Sequence, residues 1–378
     1  FGNTTNALIS TGYGAAMAFW AGAAIKDLEF IQFHPTSLVP TNILMTEGCR
    51  GEGGFLMNNK GERFLGNYDD SAKAMEVAPR DIVARNMTRE IREGRGFFND
   101  KLGKDYLQLD LRHLGAAKIM ERLPGIRDIS MNFAGVDPIE EPIPVVPGQH
   151  YTMGGIHTDK DGACPDVPGL YAAGECACVS VHGANRLGGN SLLETLVMGR
   201  RAGRGVAKYL DEDAPNAMGS KKAIEEKAEE HLAWIDGLRK AKGKESAAKI
   251  NDELQNMMPE KVGIFRDEEN LKEAVEKVTE LNERFEDIGV SYDGEGINPE
   301  LLNNLELKGN LAMAQIMAEG ALARKESRGS HFREDYRKRD DENWLKHTMA
   351  YYDEGKPTPR FEGGEMTLGI WEPKERKY

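Results

Sequence analysis

The chain has 378 residues, enough for two or three domains, and its 62 acidic side chains against 49 Lys and Arg give a formal net charge of −13. That excess argues against nucleic acid as a partner, which calls for clustered basic surface, but leaves room for small anions gripped by individual arginines. The four cysteines, Cys49, Cys164, Cys176 and Cys178, have neither zinc-finger nor thioredoxin spacing and read as reduced thiols in a cytoplasm-like compartment, with no metal site expected.

No charged residue occurs from Phe1 to Ile25, yet Asn3, Thr4, Thr5, Asn6, Ser10, Thr11 and four glycines interrupt any continuous apolar face. The segment therefore reads as a glycine turn and a packed helix over Ala15–Ala24, neither a membrane span nor a cleavable signal. Asp27–Phe33 predicts a short strand before Pro35, and Met45–Phe64 a Gly- and Arg-rich region with hairpin character around MNNKGER. Pro79 followed by RDIVARNMTREIREG predicts one helix that begins at Arg80 and stops at Gly94. A strand is expected over Tyr106–Leu114 and a proline-punctuated extended connection over Pro138–Pro147. The apolar run Val167–Glu175 predicts a strand, followed by the glycine turn HGANRLGGNSLLE, His182–Glu194, and a helix over Leu192–Gly203. From Lys221 to Glu286, Glu, Lys and Ala dominate with apolar residues at helical spacing, such as Leu232, Ile235 and Leu238, which predicts a helical bundle with a solvated outer face. A further helix spans Leu301–Lys325, and SRGSHFREDYRKRDDENW reads as an ordered surface wrap.

Strand, glycine turn and helix N terminus together can cradle an anion or a cofactor, though such turns also serve packing alone. Within the turn, Arg186 offers a fork that fits a carboxylate or phosphate. QFHPTS sets His34 at a strand end. TEGCRGEGG sets Glu47 and Arg50 three apart, where a helical turn would join an acid and a cation, as a proton relay or as a plain surface ion pair. Arg80 falls at a helix start, and HYTMGG puts His150 before a glycine pair. Each of these alone is compatible with a structural role. Jointly they suit gripping a small dicarboxylate and moving one proton.

The ordered succession TTNA, QFHPT, TEGCRGEGG, PRDIVAR, LDLRHLG, ERLPGI, VDPIEEPIPV, HYTMGGI, GLYAAGE and HGANRLGGNSLLE closely resembles the flavoprotein subunit of succinate dehydrogenase and fumarate reductase. The resemblance runs from Thr4 to about Gly203 and continues more weakly into SRGSHFREDY. It implies an α/β fold in which an α+β capping domain, 34–149, is inserted in a Rossmann-like FAD-binding domain, 1–33 and 150–208. An α-helical bundle domain, 209–325, and a carboxyl-terminal surface domain, 326–378, follow.

The resemblance further implies interconversion of succinate and fumarate with FAD, Arg80 handling the proton and Glu47 and Arg50 relaying it. His34, Thr46, His150 and Arg186 would bind substrate. Thr5, Asn6, Thr11, Gly12, Glu175, Asn190, Ser191 and Leu192 would bind cofactor, Glu175 at the ribityl chain and Ser191 and Leu192 against the isoalloxazine. Arginine is a poor acid in water, so such a site has to be closed and water-poor. Implied partners are an iron–sulfur subunit and, through it, a membrane anchor and quinone, which places the chain peripherally on the cytoplasmic side of the membrane with no transmembrane segment of its own. Two departures stand out: Tyr13 in TGYG replaces the acidic residue of the family's TGDG, and the family's GxGxxG half is not in the chain. The chain is therefore expected to be the carboxyl-terminal part of the subunit and to need an amino-terminal FAD-binding segment or chain, and whether FAD is covalent is left open. Two other readings remain: an L-aspartate oxidase-like flavoenzyme, which shares QFHP, RGEG and HGANRL but fits Gly188, Gly189, Cys49 and Met153 less well, and a noncatalytic assembly module.

Overall fold

A computed structural model of the chain describes residues 1–100, 103–213, 221–294, 296–353, 360–364 and 374. The first half runs α1 (Tyr13–Trp20), β1 (Ile25–Lys26), β2 (Ile31–Leu38), α2 (Gly48–Gly51), β3 (Phe55–Met57), α3 (Arg80–Arg92), β4 (Phe97–Asn99), β5 (Lys104–Asp110), α4 (Ala116–Arg122), α5 (Pro124–Ala134) and β6 (Ile143–Thr152). The second runs β7 (Gly155–His157), β8 (Ala177–Cys178), α6 (Asn190–Lys208), α7 (Lys221–Arg239), α8 (Ala247–Lys261), α9 (Glu268–Phe285), α10 (Pro299–Ala323), α11 (Asp341–Trp344), β9 (His347–Tyr351) and β10 (Arg360–Gly364). This mixture of sheets followed by helices agrees with the expected α/β class and helical region. Parts of the expected carboxyl-terminal domain, 354–359, 365–373 and 375–378, lie outside the described residues.

Several elements differ from their sequence expectation, each for a local reason. The strand expected over Asp27–Phe33 starts at Ile31 and runs through Pro35 with all eight residues buried, so alternation cannot mark its ends. Asp27 instead opens a turn at φ 56°, its carbonyl accepting the Phe30 N–H at 3.2 Å. The first helix ends at Trp20, before the expected Ala24. The strand expected to reach Leu114 stops at Asp110, whose carboxylate accepts the Arg112 backbone and side-chain N–H groups, and a 3-10 turn covers Arg112–Leu114. The connection expected over Pro138–Pro147 is strand β6 from Ile143 onward; proline loses a donor but keeps its acceptor, and Pro144 accepts the Val39 N–H at 3.0 Å. Val167–Glu175 holds only an isolated bridge, Tyr171 to Ala163, and the strand falls at Ala177–Cys178.

The described residues divide into two compact units. The smaller comprises Asn3–Ala7 and Ile31–Tyr151. Its sheet has the order β2-β6-β5-β3, with β4 pairing the other end of β5, and Leu107 sits opposite Val145 and Leu56 opposite Leu109. In β5 the residues Leu107 and Leu109 face a core that also takes Leu56, Phe64, Ile143 and Val145, while α3 adds Val83 and Met87. Helix α3 begins at Arg80 directly after Pro79 and ends before Gly94 at φ 73°, as the proline and glycine predict.

The larger unit comprises Phe1–Gly2, Leu8–Phe30 and the described residues of Thr152–Thr367. Its sheet has the order β10-β9-β1-β7-β8, and the β7–β8 pair is parallel. The glycine pair after Met153 is sterically required: a Cβ on Gly154 would lie 2.3 Å from the Asp27 oxygen, and one on Gly155 2.5 Å from the Cys176 oxygen. Helices α8, α9 and α10 bury Ile250, Leu254, Leu271, Val278, Leu281, Leu307 and Leu311. Helix α7 buries no side chain, and its Leu232 is exposed. Tyr13, the departure from TGDG, starts α1 and packs edge-on to Trp20 and against Gly309 of α10.

The segment read as a surface wrap is instead partly core, with Ser330, His331 and Arg333 buried, as are Arg324 and Glu326 just before it. The reason lies in helix termini and charge. Arg333 donates to the carbonyls of Ala321 and Leu322, the orphan acceptors at the end of α10, and pairs with Asp335 at 2.7 Å. Arg324 donates to Glu29 at 2.7 Å and to Glu326 at 3.0 Å, with the Trp344 and Lys346 carbonyls and Thr348 Oγ1 taking its remaining N–H groups. Arg266 donates to the Glu29 carbonyl at 2.8 Å and to His331 Nδ1 at 2.7 Å. Burial, then the charges of Arg266 and Arg324, hold His331 neutral, its pKa well below 6.5. Removing one member of such a buried pair leaves the other charge uncompensated. Arg324→Ala is therefore expected to lower stability by about 3–5 kcal/mol, checked by urea unfolding against the unchanged chain.

Candidate active site

In the smaller unit, β2 aligns Gln32, His34 and Thr36 on one face, because strand side chains repeat every second residue. Arg80, the first residue of α3, donates from Nη1 to Gln32 Oε1 at 2.9 Å and from Nη2 to Glu47 Oε2 at 3.0 Å. The single helical turn of α2 brings Arg50 back to Glu47, Nη2 to Oε1 at 3.2 Å, and Arg50 also donates to the Glu76 carbonyl. Glu47 is thus one half-exposed carboxylate shared by two buried guanidinium groups. Burial pushes its pKa up, but the hydrogen bond and charge of Arg80 and the charge of Arg50 outweigh it, so Glu47 stays ionised below the usual carboxylate range. Burial pulls the Arg50 pKa down, and Glu47 partly restores it.

His34 accepts the Thr36 N–H at Nδ1, 3.2 Å, which leaves the proton of the neutral ring on Nε2. That Nε2 is buried without a hydrogen-bond partner, as is Nε of Arg80. The His150 ring lies 5.1 Å away, centroid to centroid, and its Nδ1 is 2.7 Å from Thr5 Oγ1. Asn6 donates to Gln149 at 3.4 Å beside it. Thr46 is exposed and accepts the Gly48 N–H. Buried donors without partners, next to two guanidinium groups sharing one carboxylate and a helix N terminus, suit a bound carboxylate.

Six of the expected cofactor residues fall in the larger unit: Thr11, Gly12, Glu175, Asn190, Ser191 and Leu192. Gly12 caps α1 at φ 74°, and Gly189 caps α6 at φ 81° with no side-chain cap, while the Asn190 N–H donates to the Leu187 carbonyl at 3.3 Å. Leu192, Leu193 and Leu196 are exposed along that helix start. A helix start without a side-chain cap, beside exposed apolar side chains, suits a flat group that carries partial negative charge. Glu175 accepts the Thr152 N–H at 3.0 Å; loss of water around its carboxyl raises its pKa, with Arg186 opposing and Glu194 adding to the rise. Arg186 is buried on the glycine turn, and that turn is spanned by a 2.8 Å contact between His182 Nε2 and Glu194 Oε2.

Sequence reasoning missed Gln32, Glu76 and the His182–Glu194 contact. Gln32 was findable, since it lies two residues before His34 in a strand. Glu76 acts through its backbone carbonyl, which no residue type announces. All four cysteines are free thiols, and burial pushes Cys49 and Cys178 up to about 12. Among the described residues no group of acidic, His and Cys side chains could hold a metal, and no helix is long and apolar enough to cross a membrane.

The family model described as FAD binding domain matches residues 1–192, and that described as fumarate reductase flavoprotein C-term matches 251–378. This chain belongs to the fumarate reductase and succinate dehydrogenase flavoprotein family. It is 43% identical to the fumarate reductase flavoprotein subunit of Haemophilus influenzae, over 99% of this chain and 63% of that one. It is 45% identical to the mitochondrial succinate dehydrogenase [ubiquinone] flavoprotein subunit of Oryza sativa subsp. japonica, over 94% of this chain and 56% of that one. A solved quinol fumarate reductase variant of Escherichia coli superposes with a TM-score of 0.94 at 42% identity, over 99% of this chain and 65% of that one. The chain thus spans under two thirds of the length of these relatives. Adenylylsulfate reductase of Archaeoglobus fulgidus, at 19% identity and a TM-score of 0.73, shares the fold.

The neutral His34 carries a pH signature. Its ring takes up a proton near pH 6.5 in the unfolded chain but only well below that when folded, so its contribution to stability is complete above 6.5 and is lost as the pH falls. Between pH 7 and 5 His34→Asn should therefore lose less melting temperature than the unchanged chain, and equal losses would contradict a buried neutral ring.

Proposed function

We propose that this chain carries the substrate-site portion of an FAD-dependent oxidoreductase that interconverts succinate and fumarate. The observation that carries the reading is Arg80: a buried guanidinium at a helix start, held by Gln32 on one side and by Glu47 on the other, with Glu47 in turn held by Arg50. A general acid or base needs a fixed donor atom and a route by which its proton is replaced, and the Arg80–Glu47–Arg50 chain supplies both. The half-exposed Glu47 carboxylate connects the buried Arg80 to solvent.

His34 offers a neutral-ring donor and His150 a second ring to a substrate carboxylate, and Arg186 would offer a guanidinium fork. Thr46, exposed beside Glu47, completes the polar set. FAD, held through Glu175, Thr11, Gly12 and the α6 start at Asn190, Ser191 and Leu192, would supply two-electron hydride transfer. Thr5 and Asn6, expected at the cofactor, would also brace the neighbouring strand, Thr5 through His150 and Asn6 through Gln149. Residues 34–149 would act as the capping domain within the FAD-binding domain of 1–33 and 150–208, followed by the helical domain 209–325 and the surface domain 326–378. An iron–sulfur subunit would take the electrons, with a membrane anchor and quinone beyond it and the chain peripheral to the membrane. The L-aspartate oxidase reading draws less support, because the relatives along nearly the whole chain are named for fumarate and succinate.

Arg80→Lys in the full flavoprotein should leave fumarate binding within a few-fold while turnover falls by about 10²–10⁴-fold, the contribution typical of a positioned acid; near-normal turnover would remove Arg80 from the proton step. Arg186→Ala should weaken binding of a dicarboxylate inhibitor by about 2–5 kcal/mol in a titration, as for a truncated buried ion pair. Aspartate-dependent peroxide formation without succinate oxidation would overturn the substrate assignment.

A further inference from the structure

The glycine turn that presents Arg186 is held from a segment 146 residues further along the chain. The Ala184 carbonyl, two residues before Arg186, accepts both the N–H and the hydroxyl of Ser330, each at 2.9 Å. The preceding residue, Gly329, takes φ +57° and approaches so closely that a Cβ there would stand 2.5 Å from the Ala184 oxygen and 2.8 Å from its Cβ. Ser330 is itself fixed from behind. Its neighbour His331 is fully buried, receives Arg266 at Nδ1, and exchanges backbone hydrogen bonds with Arg328 at 2.8 and 3.0 Å. Two residues further, Arg333 is locked onto the end of α10.

We propose that Gly329 and Ser330 are positioning residues for Arg186, pressing the Ala184 carbonyl into place so that the guanidinium meets a substrate carboxylate already oriented. The proposal rests on the reading of Arg186 as a carboxylate clamp. A turn containing Gly183, Gly188 and Gly189 has little intrinsic stiffness, since glycine gives up the most backbone freedom on ordering. The His182–Glu194 contact closes the turn at its ends, but the Ser330 bonds hold its interior. Without them, ordering of the turn would have to be met from substrate binding energy, and affinity would fall.

The test uses the full-length holoenzyme with Gly329→Ala and Ser330→Ala, malonate as the dicarboxylate probe, and steady-state fumarate reduction. Gly329→Ala, which combines a left-handed φ with a steric conflict, should raise the malonate dissociation constant and the fumarate KM by about 10- to 100-fold, with a smaller change in kcat. Ser330→Ala keeps the backbone bond and should raise both by about two- to fivefold. In each variant amide exchange over 183–190 should quicken while flavin content is retained, which separates a local loss of order from global unfolding. If Gly329→Ala does not fold, Ser330→Ala carries the test. Unchanged malonate affinity in a folded variant overturns the proposal, whether or not exchange quickens. The unchanged holoenzyme judges the functional reading separately: if it neither binds malonate nor reduces fumarate, that reading fails, whereas variant-to-parent ratios judge only the clamp.

Discussion

A guanidinium taken out of water has to be given acceptors, and among the described residues six arginines, Arg50, Arg80, Arg186, Arg266, Arg324 and Arg333, are buried. Arg324 and Arg333 are surrounded by carbonyls and carboxylates from the chain itself, and with Arg266, which donates from Nε and Nη1 but keeps a buried Nη2 without a partner, they weld α10, the SRGSH segment and the β1–β2 turn of the larger unit into one buried polar lattice. Arg80 is held differently, by one amide oxygen and by one oxygen of a carboxylate that it shares with Arg50, and its Nε is left over. An orphaned nitrogen does not by itself mark a site, since Arg50 and Arg266 keep one too; what sets Arg80 apart is its place at a helix start beside a shared, half-exposed carboxylate.

The same contrast extends to the histidines. His331 and His34 are both buried and both neutral, with burial and neighbouring arginines responsible in each case. His331 has both ring nitrogens engaged, by Arg266 and by the Arg324 carbonyl, and it closes the lattice. His34 keeps a buried donor at Nε2 without a partner. An unsatisfied polar atom is costly to hide, and its presence beside Glu47, Arg50 and Arg80 is what a binding group looks like in a fold stabilised by other means.

Much of the site was legible in the chain. The helix that starts at Arg80 follows from Pro79 and Gly94, and the Glu47–Arg50 contact follows from spacing once the segment turns. The motif order by itself points to the flavoprotein family. Reading strands was harder, because β2 is buried on both faces and shows no alternation, and because β6 carries Pro144 and Pro147 in positions where only their carbonyls are needed. The polar composition of SRGSHFREDYRKRDDENW suggests surface for the same reason that lone charges belong there, and the bonds of His331 to Arg266 and of Arg333 to the end of α10 reverse that expectation.

Residue types, their order and their short-range spacing are sufficient to name the candidate groups: two arginines and a carboxylate proposed for proton handling, two histidines and a further arginine proposed for carboxylates, and a glycine turn leading to a helix start. Local rules reach that far because caps, turns and i,i+3 contacts are decided within a few residues. Tertiary structure alone decided which arginines are saturated and which are not, that Gln32 holds Arg80, and that Ser330 presses on the turn bearing Arg186. Those facts depend on hydrogen bonds between residues tens to hundreds of positions apart, whose geometry is set by packing rather than by sequence neighbours.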